Sequence, residues 1–536
     1  MCKTFEKVAS EVNVVSIRVF ALAYLMHKTT HVFPLLGVRN IEQLNENIIR
    51  ARNQRLVSHV LKAGSSLKPT HIVHLPIRGE PLAPRAMSTT SPALQSHASL
   101  VEFGKRHVTK GIARQVEAVI EKGEGSYITL GDGRTMLDFT CGIAVTNLGH
   151  CHPKVSAAAA EQCMKLVHGQ CSIGFHGPYL ELIERLLPMM PHKSLDSFYF
   201  WNSGSEAVEG AVKMARAVTG KQNIIALQGA YHGRTYGAMA LTKSKTIYSE
   251  GFHPLMPGVF TAPFPYWHHF SLPPTTPASQ LTSLCLNQLE LLLQQQTSPK
   301  DTAAIIIEPV IGEGGYVPAP PEFLQGLRKI CDRDGILLIV DEVQSGFLRT
   351  GKNFAIEYSG VRPDILTVAK GLANGFPLSG IVSSRELSDK LKPSSMGGTY
   401  AGNAVACAAG VATADAFKEE NILENVNARS KELFGYLEPL RSSAAVLDIR
   451  GQGLMVAVEF ASPTGTSIHD PLRNPSAPAK MASRVSKRCQ EKGMFILTTS
   501  AYEVVRFIPA LNISKEDLKK GCDIFVEAVE EIVHEG

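Results

Sequence analysis

The chain predicts an α/β fold: a large domain on a mostly parallel sheet, with a smaller α/β domain beside it. Three observations carry this. Ile336-Leu337-Leu338-Ile339-Val340 is a short unbroken apolar run, the mark of a strand covered on both faces, and it stops at the charges Asp341 and Glu342. Ile365-Leu366-Thr367-Val368-Ala369 repeats the pattern and stops at Lys370-Gly371. Ser197-Phe198-Tyr199-Phe200-Trp201 reads as a strand and passes through Asn202-Ser203-Gly204-Ser205-Glu206 into a helical stripe at Ala207, Ala211, Met214, Ala215 and Val218. In open sheets of this kind ligands sit beyond the carboxyl ends of strands, so an acid and a lysine that each close a buried strand can face one pocket.

Composition narrows the function classes. A chain of 536 residues, 44% hydrophobic and 19% charged, has the make-up of an ordinary globular protein and the length for more than one domain. Its ten cysteines include no Cys-x-x-Cys pair and are too sparse for a disulfide scaffold, so a reducing interior is the default. Of 54 Lys and Arg and 49 Asp and Glu, residues 1–86 hold 12 and 5, leaving a body of 42 and 44 with no basic footprint for nucleic acid. Val14–Met26 is apolar but interrupted by Arg18 and too short to span a bilayer, so no membrane partner is expected.

Residues 1–86 belong to an N-terminal extension taken to end at residue 90. The segment is Arg-rich and acid-poor, and three readings stand open for it. It is a disordered extension or a start placed upstream of an initiator at Met87-Ser88-Thr89-Thr90, a targeting segment of mitochondrial type, or a partner-binding arm. An intracellular soluble protein follows, cytoplasmic or, with a presequence, in the mitochondrial matrix. Residues 91–150 are assigned to the smaller domain, 151–415 to the large one, and 416–536 to the rest of the smaller one.

The remaining elements follow in order. Asp132-Gly133 between Tyr127–Leu130 and Met136–Phe139 is a hairpin signal. Gly149-His150-Cys151-His152-Pro153 is a turn whose adjacent side chains rarely converge on one ion, so no metal site is expected. Ile224–Leu227 reads as a strand, Pro273–Pro277 as a loop and Leu286–Gln296 as an amphipathic surface helix. The strand Ala304–Ile307 ends in Glu308-Pro309, ahead of Gly312-Glu313-Gly314-Gly315. From Asp415 on, helical patterns give way to strands at Asp448–Glu459 and Val504–Ile508.

Asp341-Glu342-Val343-Gln344-Ser345-Gly346, with Lys370 twenty-nine residues after Asp341, resembles the signature of class III pyridoxal-phosphate aminotransferases. The similarity runs from about Ser99 to the C-terminus and is greatest to the bacterial-type 4-aminobutyrate aminotransferases. It implies the pyridoxal-phosphate transferase fold type I, which is aspartate aminotransferase-like, and pyridoxal 5'-phosphate as cofactor. Lys370 would bond the cofactor through its amine, Asp341 would pair with the pyridine nitrogen, and Gln344 would approach the ring oxygen. A lysine at its free pKa is protonated and a poor nucleophile, so the task needs surroundings that lower that pKa. A carboxylate beside the ring nitrogen favours the charged pyridinium, which draws electrons from the substrate.

Further motifs extend the resemblance. Ser203, Gly204 and Ser205 match its phosphate site, where the free N–H groups of a helix start suit an anion. Gly229-Ala230-Tyr231-His232-Gly233-Arg234-Thr235 implies Tyr231 on the face of the ring and His232 among the cofactor-binding residues. Arg234 would take the distal carboxylate of 4-aminobutyrate, for which a planar, permanently charged guanidinium is suited. Cys141-Gly142-Ile143-Ala144-Val145 matches the substrate entrance, with Ile143 as a wall against methylenes. Glu313 matches a glutamate that pairs with a substrate-binding arginine, and Arg506 matches the arginine for an α-carboxylate. Gly397-Gly398-Thr399-Tyr400-Ala401-Gly402-Asn403 implies that Thr399 contacts the phosphate of a neighbouring subunit, hence a homodimer or a tetramer containing it.

Two departures bear on substrate preference rather than on cofactor use. Leu348 stands where a glycine is usual before Arg349-Thr350-Gly351, and Ala510 replaces the second proline of the element that begins at Pro509. The implied activity is 4-aminobutyrate:2-oxoglutarate transamination by a ping-pong cycle, giving succinate semialdehyde and glutamate. The alternative is another ω-aminotransferase, with ornithine, acetylornithine or β-alanine as donor. A non-catalytic relative is disfavoured because Lys370, Asp341, Gln344 and Arg506 are all present. A dehydrogenase is disfavoured because no Gly-x-Gly-x-x-Gly opens a helix after a strand. Every motif lies beyond residue 86, so a chain lacking residues 1–86 is expected to keep its soluble yield and turnover. A large loss of either would place that segment in the fold.

Overall fold

The computed structural model describes residues 96–535, so the extension read over residues 1–90 lies outside the described residues. An antiparallel meander comes first, formed by β1 (Ile120–Glu124), β2 (Tyr127–Leu130) and β3 (Thr135–Asp138). The expected Asp132-Gly133 turn joins β2 to β3, with Gly133 at φ +89, a conformation open to a residue without Cβ.

Seven strands then build the central sheet. They are β4 (Ser197–Trp201), β5 (Asn223–Leu227), β6 (Val259–Ala262), β7 (Thr302–Ile307), β8 (Leu337–Asp341), β9 (Ile365–Val368) and β10 (Ser379–Ser383). Their order is β4-β10-β9-β8-β7-β5-β6. Neighbours from β6 across to β9 pair in parallel, and β10 alone runs antiparallel to β9 and β4. The unbroken apolar runs explain why both faces are covered. Ile305, Ile307, Leu338, Val340, Leu366 and Val368 pack to one side, whereas Ala304, Ile306, Ile339 and Ile365 pack to the other.

Helix α1 (Gly204–Thr219) covers the second face through Ala207, Val208, Ala211, Met214 and Ala215. It opens on a capping box: Ser203 Oγ accepts the Glu206 N–H at 3.3 Å, and the Glu206 carboxylate accepts the Ser203 N–H at 2.9 Å. Helices α2 (Ala278–Gln295) and α3 (Pro321–Asp334) cover the first face. The sequence places the start of α2 at Leu286. It begins instead directly after Pro277, because its buried stripe reaches back through Cys285 to Leu281. Helix α4 (Ala404–Glu419) runs unbroken through residue 415, so a domain boundary there cuts a helix.

The last sheet is antiparallel, with β11 (Val446–Gln452), β12 (Met455–Phe460), β14 (Leu497–Thr499) and β15 (Val504–Phe507) in the order β11-β12-β15-β14. The single strand expected over Asp448–Glu459 is thus a hairpin. Gly451 and Gly453, at φ +143 and +58, reverse the chain in its middle. Between them in sequence, β13 (Met494–Phe495) pairs in parallel with β3 and joins the C-terminal part to the meander. In the His150–His152 turn the two rings serve separate carboxylates, His150 Nε2 bonding Asp138 at 2.8 Å and His152 Nε2 bonding Glu420 at 2.9 Å. Among the described residues no helix is long and apolar enough to cross a membrane.

The packing of α1 on β4 generates a test. A Cβ on Gly210 would stand 2.3 Å from the Trp201 ring. Alanine outranks glycine in a helix by roughly 1 kcal/mol, but overlap with a buried ring costs about 1–3 kcal/mol, so Gly210→Ala is expected to lower the unfolding midpoint. An unchanged or raised midpoint would show that the Trp201 ring has room to move.

Candidate active site

Loops at the carboxyl ends of β4, β5, β7, β8 and β9 converge on a cavity of about 300 Å³. Its lining includes Ser203, Gly204, Ser205, Tyr231, His232, Asp341, Gln344 and Lys370, all expected at one site from the sequence, together with Glu308. Lys370 stands one residue beyond the end of β9, after Ala369, and sits at φ +48, a left-handed conformation that non-glycine residues seldom adopt. Burial lowers the pKa of its amine, with Glu313 and Asp341 opposing and Arg506 reinforcing the shift. Stripping water from the ammonium favours the uncharged, nucleophilic amine.

Asp341 is held from two sides. Its Oδ1 accepts the Val343 N–H at 3.0 Å, and its Oδ2 accepts from His232 Nδ1 at 2.7 Å. His232 Nε2 is left buried without a partner among the described residues. Glu308 is the member that the sequence reading passed over. Its two oxygens accept the N–H groups of Tyr231 at 2.8 Å and Gly312 at 3.0 Å, and burial raises its pKa to about 7. The signal was available, since Glu308 ends an apolar strand just as Asp341 does.

At the start of α1 the N–H groups of Gly204 and Ser205 have no protein acceptor among the described residues. Space there is tight. A Cβ on Gly233 would stand 2.2 Å from Ser205 Oγ, which itself accepts the Arg234 N–H at 3.2 Å. Two open donors at the positive end of a helix suit a phosphate. With a buried carboxylate, a lysine shifted toward its free base and an orphaned His232 nitrogen on the same cavity, the residues fit pyridoxal phosphate.

The expected substrate residues lie outside this lining. Arg506 and Glu313 form a buried ion pair, Nη1 to Oε1. Burial alone would raise the carboxyl pKa of Glu313, but the charge and hydrogen bond of Arg506 outweigh it and hold the group below its usual range. The pair reaches the cavity through Tyr316, whose ring lies 5.8 Å from the Arg506 guanidinium and whose hydroxyl donates to Gln344 Oε1 at 2.7 Å. The loop that carries Glu313 is pinned by the smaller sheet. Ser500 N donates to Glu313 O at 2.9 Å, and Arg450 Nε and Nη2 donate to Gly315 O at 3.0 and 2.6 Å. Neither Tyr316 nor Arg450 carries a local sequence signal.

Arg234 is exposed beside the cavity, its Nε donating to the Tyr231 hydroxyl at 3.0 Å. Thr399, expected to serve a neighbouring subunit, is exposed and distinct from the lining. Ile143 is 40% exposed and sits in a run of left-handed residues, with Cys141, Gly142, Ile143 and Ala144 at φ +49, +61, +65 and +61. Asp138 clamps that turn, its Oδ1 accepting from Thr140 N at 2.8 Å, Thr140 Oγ1 at 2.6 Å and Cys141 N at 3.2 Å. Leu348, where a glycine was expected, takes a glycine-like φ of +70 and remains buried in the core.

A family model described as aminotransferase class-III matches residues 110–529. The chain belongs to the class III aminotransferases. This aminotransferase is 39% identical over 440 residues to the 5-aminovalerate aminotransferase of Pseudomonas aeruginosa, covering 82% of this chain and 99% of that one. It is 37% identical over 441 residues to the 4-aminobutyrate aminotransferase of Escherichia coli, with the same coverage. The (S)-enantioselective ω-transaminase of Thermomicrobium roseum superimposes with a TM-score of 0.74 at 29% identity, over 82% of this chain and 99% of that one. The aminotransferase therefore has fold type I, and its class is pyridoxal-phosphate-dependent as a family.

Lys370→Ala is expected to retain pyridoxal phosphate only reversibly and to lose at least about a hundredfold in transamination, the scale of one general acid–base group. Borohydride reduction followed by mass analysis should fix the cofactor to the natural chain and not to the variant. Near-normal turnover would remove Lys370 from the chemistry.

Proposed function

We propose that this class III aminotransferase takes the amino group of 4-aminobutyrate and passes it to 2-oxoglutarate, giving succinate semialdehyde and glutamate. The observation that carries this reading is the buried Arg506–Glu313 pair next to Lys370. Glutamate brings two carboxylates to the site and 4-aminobutyrate brings one. An enzyme serving both must hold an arginine for the α-carboxylate and neutralise it when that carboxylate is missing, because an unpaired buried charge is costly. Glu313 is placed to do so.

We assign the other residues the roles that the family resemblance implies. The Gly204 and Ser205 N–H groups hold the phosphate, Asp341 faces the ring nitrogen, and His232 fixes the orientation of Asp341. Bound pyridoxal phosphate supplies an electron sink for the substrate carbon that loses its proton. Lys370, as the uncharged amine, takes that proton from the amine-bearing carbon and returns one. Arg234 takes the distal carboxylate, and Ile143 walls the methylenes. Thr399 completes the site of a second subunit, so the working unit is a homodimer.

The names of the relatives support a second donor. Those compared above are named for 5-aminovalerate and 4-aminobutyrate, which differ by one methylene. An apolar wall discriminates one methylene by only about 1–3 kcal/mol, so a single pocket can serve both. Donor profiling with 2-oxoglutarate tests the assignment. 4-Aminobutyrate is expected to lead over ornithine, acetylornithine and β-alanine, and a different leading donor would overturn it.

Glu313→Gln keeps size and removes the charge that balances Arg506. In the glutamate half-reaction the substrate pairs Arg506, whereas in the 4-aminobutyrate half-reaction nothing does. One unpaired, partly buried charge costs on the order of 1–3 kcal/mol, so kcat/KM for 4-aminobutyrate is expected to fall at least about tenfold more than that for glutamate. Single-turnover measurements of each half-reaction read this directly, and an equal fall in both would make Glu313 merely structural.

A further inference from the structure

The switch assigned above leaves a displaced carboxylate to be accounted for. When an α-carboxylate takes Arg506, Glu313 must leave it, and a buried carboxylate without a partner would oppose the glutamate half-reaction as strongly as an unpaired Arg506 opposes the other. Tyr248 lies where it can answer this. It sits in a short turn, Thr246–Tyr248, half-buried and outside every motif of the sequence. Its hydroxyl donates to Glu313 Oε2 at 3.4 Å, while Oε1 is the oxygen on Arg506. The contact is long and has room to shorten as Glu313 turns away.

The same side chain reaches the other subsite. Its ring lies 4.7 Å from the Arg234 guanidinium, closer than Tyr231 at 5.8 Å. The two tyrosine rings meet edge-on at 5.3 Å, so Arg234 rests in a fork between them. Lys245, three residues earlier, is half-buried and makes no ion pair among the described residues. Burial lowers the pKa of that lysine, with Glu313 opposing the shift and Arg506 reinforcing it, so its amine shares the surroundings of the Glu313–Arg506 pair.

We propose that Tyr248 is a specificity-determining residue that couples the two carboxylate subsites: its ring carries Arg234, and its hydroxyl receives Glu313 when an α-carboxylate displaces it from Arg506. The proposal rests on the dual-substrate reading of the site. Its two parts separate by substitution, since Tyr248→Phe removes the hydroxyl and keeps the platform, and Tyr248→Leu removes both.

Unreactive acids report the two subsites at equilibrium on the pyridoxal-phosphate-loaded protein. Glutarate carries both carboxylates and must displace Glu313, whereas butyrate carries one. Tyr248→Phe is expected to weaken glutarate about tenfold, the scale of one hydrogen bond to a charged group, and butyrate by less than about twofold. Tyr248→Leu is expected to weaken butyrate as well. Calorimetric titration gives these constants, and kcat/KM for glutamate and 4-aminobutyrate should split in the same sense. A Tyr248→Phe protein that weakens both acids equally, or neither, overturns the role of the hydroxyl. Unchanged butyrate binding in Tyr248→Leu overturns the role of the ring. If the natural protein uses no ω-amino donor with 2-oxoglutarate, the dual-substrate reading itself falls.

Discussion

The Lys370 amine loses its water where β9 ends, and the charges around it are placed so that this loss is not undone. A free carboxylate close by would restore the ammonium, yet Asp341 is already engaged by His232 and by the Val343 N–H. Glu313 is engaged by Arg506. Both acids are thus committed to other partners, and burial prevails over the field that they still put on the lysine. The dryness comes from the sheet, because strands buried on both faces deliver their last residues into a region that helices have already sealed.

Buried carboxylates also organise the loops. At the end of β8, Asp341 faces the cavity, while its neighbour Glu342 turns into the protein and accepts the Ser345 hydroxyl at 2.5 Å and the Ile356 N–H at 2.7 Å. Glu308, on the cavity wall after β7, also accepts from the backbone and ties the Tyr231 loop to the Glu313 loop. Burial raises both Glu308 and Glu342 to about 7, so their proton-accepting range lies near neutrality while backbone donors hold them. One acid at a strand end faces the reaction, and the next fixes the geometry around it.

How much of this was legible in the sequence depends on the range of the interactions. Apolar runs ending in charge gave β7, β8 and β9 to within two residues, because a strand buried on both faces has no other composition open to it. The residues around the cavity were legible for the same reason, standing at those strand ends or at a small-residue helix start. The hairpin at Gly451 and Gly453 was hidden because its two strands read as one apolar segment. Tyr316, Arg450 and Tyr248 were hidden because each acts across the fold, Arg450 reaching Gly315 from another sheet. Arg234, Thr399 and Ile143 lie outside the cavity lining, where the resemblance, and no spacing, pointed to them.

The mirror-handed turn at Cys141–Ala144 has a consequence for how the enzyme can evolve. L-residues in that conformation cost roughly 1–2 kcal/mol each, and β-branched Ile143 is among the least suited to it. Truncating a buried core isoleucine usually costs about 2–5 kcal/mol. Here glycine or asparagine at position 143 would lose little packing, since the side chain is already half in solvent, and would release backbone strain at the same step. The Cys141–Ala144 turn is therefore a place where selection can change a residue without first drawing down the stability of the fold.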